Sequence, residues 1–149
     1  SRKTDKSWKD MTGAGKVIYN LLNVPAINAI IGNRIYPVVA PNNASTFPCC
    51  VYEIDSTDQV NHKDRLNIQA DGSRGRRLDI VTVTIYSSAF EYSQAEALEN
   101  EVRKAFDGFR GEIEGVCVDG VMLQNSSDTY NYELEIFEKE TIYTIRINY

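Results

Sequence analysis

The sequence is poor in groups that carry out reactions. Its 149 residues include one histidine, three cysteines and one tryptophan. With one histidine, His62, a serine or cysteine nucleophile has almost no choice of general base. His62 stands in a polar stretch without an apolar setting and reads as a solvated loop residue. The cysteines are Cys49, Cys50 and Cys117. An odd number with two adjacent argues against a disulfide framework and suits a reducing interior. On a strand, Cys49 and Cys50 point to opposite faces, so they cannot easily share a metal. No second Cys or His pair completes four ligands. Buried packing is the expected role of at least one of Cys49 and Cys50, and neither a metal nor a cofactor is expected.

Long apolar runs are also missing. None approaches the roughly 20 residues that span a bilayer, so no membrane partner is expected. Residues 1–16, SRKTDKSWKDMTGAGK, are basic but lack the apolar stretch of a secretory signal. NAS at Asn43 and NSS at Asn125 fit the glycosylation pattern, and without such a signal they read as chance matches. TGAGK at Thr12–Lys16 resembles the end of a phosphate loop. That motif needs a Gly where Asp10 stands, a Ser or Thr where Val17 stands, and a preceding strand. All three are absent.

Hydrophobic residues make up 42 % of the chain, enough for the core of one domain. The net charge of −5 is unevenly spread: residues 1–16 carry +3, and residues 91–140 carry −9. The acidic half should repel a phosphate backbone.

Residues 1–13, polar with a lone Trp8, read as a flexible arm ahead of a domain over 14–149. From Ala14 to Asn23, Val17, Ile18, Leu21 and Leu22 recur at helical spacing. Pro25 opens a second short helix. Ile27, Ile30 and Ile31 give it an apolar face, and Gly32 closes it. Arg34 to Val39 and Cys49 to Ile54 read as extended. Between them lies a loop holding Pro41 and Pro48. Residues 55–77 have little apolar content and read as a long functional or mobile connection, ending in the basic GSRGRR. LDIVTVTIYS, Leu78 to Ser87, is the clearest strand. Ser88 with Glu91 fits a capping box. The following helix shows one stripe of Ala95, Leu98, Val102, Ala105, Phe106 and Phe109. Its carboxylates Glu91, Glu96, Glu99 and Glu101 read as a solvated outer face. Asp119-Gly120, between two apolar runs, suits a two-residue hairpin turn. Residues 126–138 are ambiguous between strand and loop, while TIYTIRINY alternates as a strand. The fold class is α+β: a mostly antiparallel sheet with one long and one or two short helices packed on it. Such a sheet leaves open edges that must be covered or paired.

Arg74, Arg76 and Arg77 form the strongest candidate contact by charge, for nucleic acid or an acidic partner. The plain alternative is a solvated loop. Pro41, Phe47 and Pro48 mark the second candidate interface, because prolines limit the entropy a loop loses on meeting a neighbour. Nine tyrosines add interface-forming side chains.

The order of elements resembles the tail terminator, or tail completion, proteins of long-tailed bacteriophages. The residues that carry the resemblance run from Val17–Leu22 through Pro25–Ile31, Arg34-Ile35-Tyr36-Pro37, Phe47-Pro48 and Val51-Tyr52. They continue with the strand to Tyr86, the helix bearing Tyr92, Ala95, Ala97, Leu98, Val102, Ala105 and Phe106, and the final Arg146-Ile147-Asn148-Tyr149. The resemblance covers about residues 14–149, with 55–77 longer than usual. It implies a non-enzymatic virion protein that forms a ring, usually hexameric, at the head-proximal end of the tail tube. The implied partners are copies of itself, the tail tube protein and the head completion or connector protein. Double-stranded DNA passes through the lumen without specific binding. The implied location is the virion neck, with the host cytoplasm during assembly. Under this reading, Glu96, Glu99, Glu101, Glu133, Glu135, Glu138 and Glu140 are the pool from which lumen charges come. Two other readings stand beside it: another neck or head-completion component, and a small nucleic-acid-binding module using the basic arm and loop.

Overall fold

The computed structural model describes residues 13–41, 44–60 and 78–148. Helix α1, Gly13–Leu22, buries Val17, Ile18, Leu21 and Leu22 on one stripe. The chain turns at Val24, and Pro25 begins α2, Pro25–Ile31. Gly32, with φ of 65°, donates its N–H to the Asn28 carbonyl and ends α2, as glycine does in this left-handed region. The two helices bend by 76° against each other, and no single helix among the described residues is long and apolar enough to cross a membrane.

Strands β1 (Ile35–Pro37), β2 (Cys49–Val60), β3 (Leu78–Ala89), β4 (Gly111–Ile113), β5 (Val116–Asn131) and β6 (Ile136–Asn148) form one six-stranded sheet in the order β1-β2-β3-β6-β5-β4. Only β1 and β2 run parallel. The third helix, α3 (Tyr92–Phe106), follows β3 and packs on β3 and β6. Val81, Val83 and Ile85 of β3 meet Tyr143, Ile145 and Ile147 of β6 and the α3 residues Leu98, Val102 and Phe106 in one buried cluster. Phe106 stacks on Tyr143 with ring centroids 4.9 Å apart. The α+β architecture expected from the pattern is therefore present.

Several local expectations are corrected. Ser88 is not a helix cap: it lies inside β3, paired with Cys49 and Glu138. Glu91 takes the N-cap position of α3 without a side-chain bond. Asp119-Gly120 is no turn. It falls within β5, where Asp119 is the extra residue of a bulge between Val118 and Gly120. The two-residue turn is Glu114-Gly115, joining Ile113 to Val116. Its φ angles of 49° and 82° match a turn that demands positive φ at both positions. The ambiguous 126–138 stretch continues β5 to Asn131, turns, and enters β6 at Ile136. The Asn131 side-chain oxygen accepts from the N–H groups of Glu133 and Leu134 and so builds the turn. Residues 55–60, expected in a loop, extend β2 opposite β3. Gly13, placed in the arm by the sequence reading, begins α1. His62, the remaining arm residues 1–12 and the basic 61–77 stretch lie outside the described residues.

Phe106 has no exposed surface. Phe106→Ala is expected to destabilise the protein by about 3–5 kcal/mol, read as a lower midpoint in urea with an unchanged slope. An unchanged midpoint would remove the α3 stripe from the core.

Candidate docking groove on the far face of the sheet

Because side chains alternate along a strand, the β3–β6 register divides the sheet into a helix face and a far face. On the helix face, the β5–β6 hairpin is tied to the start of α3. Lys139 Nζ lies 2.8 Å from Asp128 Oδ1 and donates to the Tyr92 hydroxyl at 2.7 Å. The Tyr92 hydroxyl in turn donates to Asp128 Oδ2 at 2.8 Å. Burial opposes the charge on Lys139, yet its bonds to Asp128 and Tyr92 hold its pKa above the ordinary lysine value. It is a protonated structural cation, not a nucleophile. Edge-to-face aromatic contacts continue the tie from Tyr92 through Phe137 and Tyr130 to Tyr132. Ser126 donates to Glu99 at 2.8 Å, and Glu99 is buried. Glu99 therefore leaves the solvated face assigned to it by sequence, buried and bonded by Ser126 of β5.

The far face carries a groove of about 370 Å³, at the lower end of the range of roughly 300–1,000 Å³ for ligand clefts. One wall is the Pro-bracketed loop, with Val38, Val39, Ala40 and Phe47. The floor is Val51, Glu53, Tyr86, Ser88 and Glu138, and the other wall is Asn131, Leu134 and Ile136. Phe47 stands edge-on to Phe90 at 5.5 Å. The loop is tied down at three points. Arg34 Nε donates to the Pro48 carbonyl at 2.8 Å, Thr46 Oγ1 donates to the Pro41 carbonyl at 2.8 Å, and the Val38 N–H donates to the Tyr52 carbonyl at 2.8 Å.

Val38 has a φ of 66°, and the Val39 N–H bonds back to the Pro37 carbonyl at 2.7 Å. That is a three-residue turn in its strained, positive-φ form, occupied by a β-branched residue for which this region is an outlier. Such strain costs on the order of 1–3 kcal/mol and persists only where the surroundings enforce it. Here it holds Val38 and Val39 outward, 66 % and 73 % exposed.

The floor is electronegative. Tyr86 is flanked on its neighbouring strands by Val51 and Glu140. Its phenol is raised by burial and then by Glu140, Glu53, Asp55 and Glu138. The Glu138 carboxyl is held above the usual range by burial and by Glu140, against a lowering bond from Ser88. No Lys or Arg is among the described residues lining the groove.

Of the sequence-derived candidates, Pro41, Phe47 and Pro48 all belong to the loop that forms one groove wall. Glu138 and Glu140 meet on the far face, where the unanticipated Glu53 and Asp55 join them. Glu133 and Glu135 are exposed at the β5–β6 turn, and Glu96 on the solvent side of α3. Glu101 pairs with Lys104 at 3.3 Å. The seven glutamates thus occupy three separate places. Arg74, Arg76 and Arg77 lie outside the described residues. Sequence reasoning missed Glu53, Tyr86, Val38 and Val39. The available signal was a pair of apolar β-branched residues between Pro37 and Pro41.

Reactive chemistry is weak in this region. Burial pushes the Cys49 thiol to about 12 and Cys50 higher still, so both are protonated at neutral pH. Among the described residues, no group of three or more His, Cys, Asp or Glu is placed to hold a metal ion.

No protein-family model matches the chain, and no curated protein matches it. Among solved structures, the chain is similar to one from a structure described as the virion of a native gene transfer agent particle. The TM-score is 0.57 at 14 % sequence identity, covering 89 % of this chain and 92 % of that one. At that identity the likeness establishes a shared fold over nearly the whole of both chains.

Glu138 has a folded pKa above its unfolded value of about 4.3, so its ionised form costs stability at neutral pH. Below that unfolded value the carboxyl is protonated in both states and the cost is gone. Glu138→Gln is therefore expected to raise the urea midpoint at pH 7 and to lose that advantage below about pH 4. An equal effect at both pH values would show that the carboxyl is not strained by its neighbours.

Proposed function

We propose that this protein is a structural component of a phage-like virion, a tail terminator that forms a ring at the head-proximal end of the tail tube. In this reading the ring is a hexamer. It stops tube growth, offers a docking face to the head connector and lets DNA pass. The observation that carries the proposal is the fold likeness, over nine-tenths of each chain, to a chain of a gene transfer agent virion. The element order noted in the sequence supports the finer assignment to the terminator position.

The sheet supports assembly physically. Each end strand is short: β1 pairs with Cys50–Tyr52 and β4 with Val116–Val118. Among the described strands, β1 and β4 thus cover only a short part of the β2 and β5 edges. Unpaired edges attract other chains and must be managed. Bulges interrupt both strands, at Asp55 in β2 and at Asp119 and Gln124 in β5. Such irregularities allow chosen contacts and discourage indiscriminate pairing.

The lumen of such a ring should not grip DNA, since each fixed phosphate contact adds affinity and slows passage. Glu96, Glu133 and Glu135 are the exposed carboxylates of the acidic segment that suit this role. Buried Glu99 does not, and Glu138 belongs to the groove.

Negative-stain imaging of the purified protein, alone and with tail tubes, tests the proposal. Discrete rings that cap one end of the tubes are expected, with negligible DNA affinity at near-physiological salt. A monomer that leaves tube length unchanged would overturn the terminator reading. Tight, salt-sensitive DNA binding would favour a nucleic-acid-binding module instead.

A further inference from the structure

The groove has the features of a receptor. Its walls are apolar, its floor is acidic, and a strained turn holds Val38 and Val39 in the open. A complementary occupant carries positive charge and an apolar anchor. Residues 1–12, SRKTDKSWKDMT, have that chemistry: Arg2, Lys3, Lys6 and Lys9 against Asp5 and Asp10, with Trp8 among them. Trp is the side chain best suited to anchor a contact in a compact pocket, and lysines on both sides of it could meet carboxylates at the floor.

The point where this segment leaves the fold decides which groove it can enter. Lys16, in the first turn of α1, donates to the Glu114 carbonyl at 3.2 Å, so α1 begins beside the β4–β5 turn. The groove lies on the other sheet face, beside Asn131 at the opposite end of β5. Along β6 the ladder with β5 runs from Asn148, opposite Cys117, to Ile136, opposite Asn131, about 40 Å of strand. From Gly13 back to Trp8 the chain reaches at most about 17 Å. Trp8 cannot reach the Leu134 end of the groove on its own protomer, whereas a neighbour's groove is open to it.

We propose that the far-face groove takes residues 1–12 of a second copy of this chain, with Trp8 between the Val39 and Leu134 walls and its basic neighbours over Glu53 and Glu138. This deepens the ring reading and rests on its premise of self-assembly. The exchange gives each protomer one donated segment and one receiving groove, a head-to-tail contact of the kind that closes into rings.

Trp8 is the chain's one tryptophan, so its fluorescence reports on this segment in the full-length protein. Sedimentation reads assembly independently. As concentration rises through assembly, Trp8 emission is expected to move to the blue and acrylamide quenching to fall, with both reversing on dilution. Val39→Glu changes a side chain that is 73 % exposed, so the fold should tolerate it, and Glu138→Lys reverses the floor charge. Either variant is expected to keep Trp8 solvent-like and to weaken assembly about tenfold or more.

Solvent-like Trp8 in an assembled sample would overturn the inference and leave the ring reading standing. Absence of assembly at every concentration would overturn both. Shielding that does not respond to dilution would place the segment on its own protomer. Shielding that survives both groove variants would place it on another surface. Either of these last two results also rejects the proposal.

Discussion

The pairing of β3 with β6 is the constraint on which the other features depend. Twelve successive pairs run from Leu78 opposite Asn148 to Ala89 opposite Phe137 without a bulge. That unbroken register sends Val83 and Tyr143 to the helices and Thr84 and Ile142 to the far face. A slip of one residue would exchange the two faces along the whole strand pair. The core under α3, the polar tie at Lys139 and the acidic floor of the groove all presuppose this one alignment. The outer strands are less regular, since β2 and β5 both contain bulges where they pair with the central two. Regularity at the centre fixes the faces, while irregularity outside it shapes the edges.

Features specified within a few residues could be read directly from the sequence. The α3 stripe, the β-branched run of β3, the Pro25 start and the Gly32 stop each depend on neighbours less than two turns away. The failures share a different cause. Asp119-Gly120 has a better composition for a tight turn than Glu114-Gly115, yet the pairing of β5 with β6 continues through it. Ser88 has the spacing of a helix cap, but its backbone is already paired in the sheet on both sides. Glu99 looks solvated on a helical wheel, yet in the fold it is buried and bonded by Ser126 of β5. In each case a pairing between distant segments overrides a plausible local preference. The groove was half legible for the same reason. Its proline-marked wall is one contiguous stretch, whereas its floor draws Glu53, Tyr86 and Glu138 from three strands.

The two faces also differ in how their charges are handled. On the helix face Lys139 is neutralised by Asp128 and hydrogen-bonded by Tyr92, leaving a closed polar network of the sort that fixes a unique packing. On the far face Glu53, Asp55, Glu138 and Glu140 surround Tyr86, and no cation is among the groove's described lining. Asp55 accepts a bond from Thr84 Oγ1, and Ser88 bonds Glu138, but neither partner supplies positive charge. Carboxylates gathered in this way raise the free energy of the isolated protomer and lower that of a complex with a cationic partner. The strained Val38 turn acts in the same direction, displaying apolar surface to water when relaxation would be cheaper.

The placement of charge along the chain then acquires a physical order. Residues 1–16 carry the basic excess of the sequence, α1 begins beside the β4–β5 turn, and the acidic groove opens at the far end of β5. In the proposed assembly the donated basic segment and the receiving acidic groove therefore belong to opposite ends of the sheet. Unlike charges on that segment and the groove would favour a head-to-tail relation between copies over a two-fold one. A two-fold contact would bring one groove to another, or one basic segment to another, and the charges would oppose it. Repetition of a head-to-tail contact gives a closed ring when the rotation between neighbours divides a full turn, and an open filament otherwise. In the proposed ring the charge pattern would select the relation between neighbours, and the angle at which the walls of the groove held an incoming chain would set whether that relation closes.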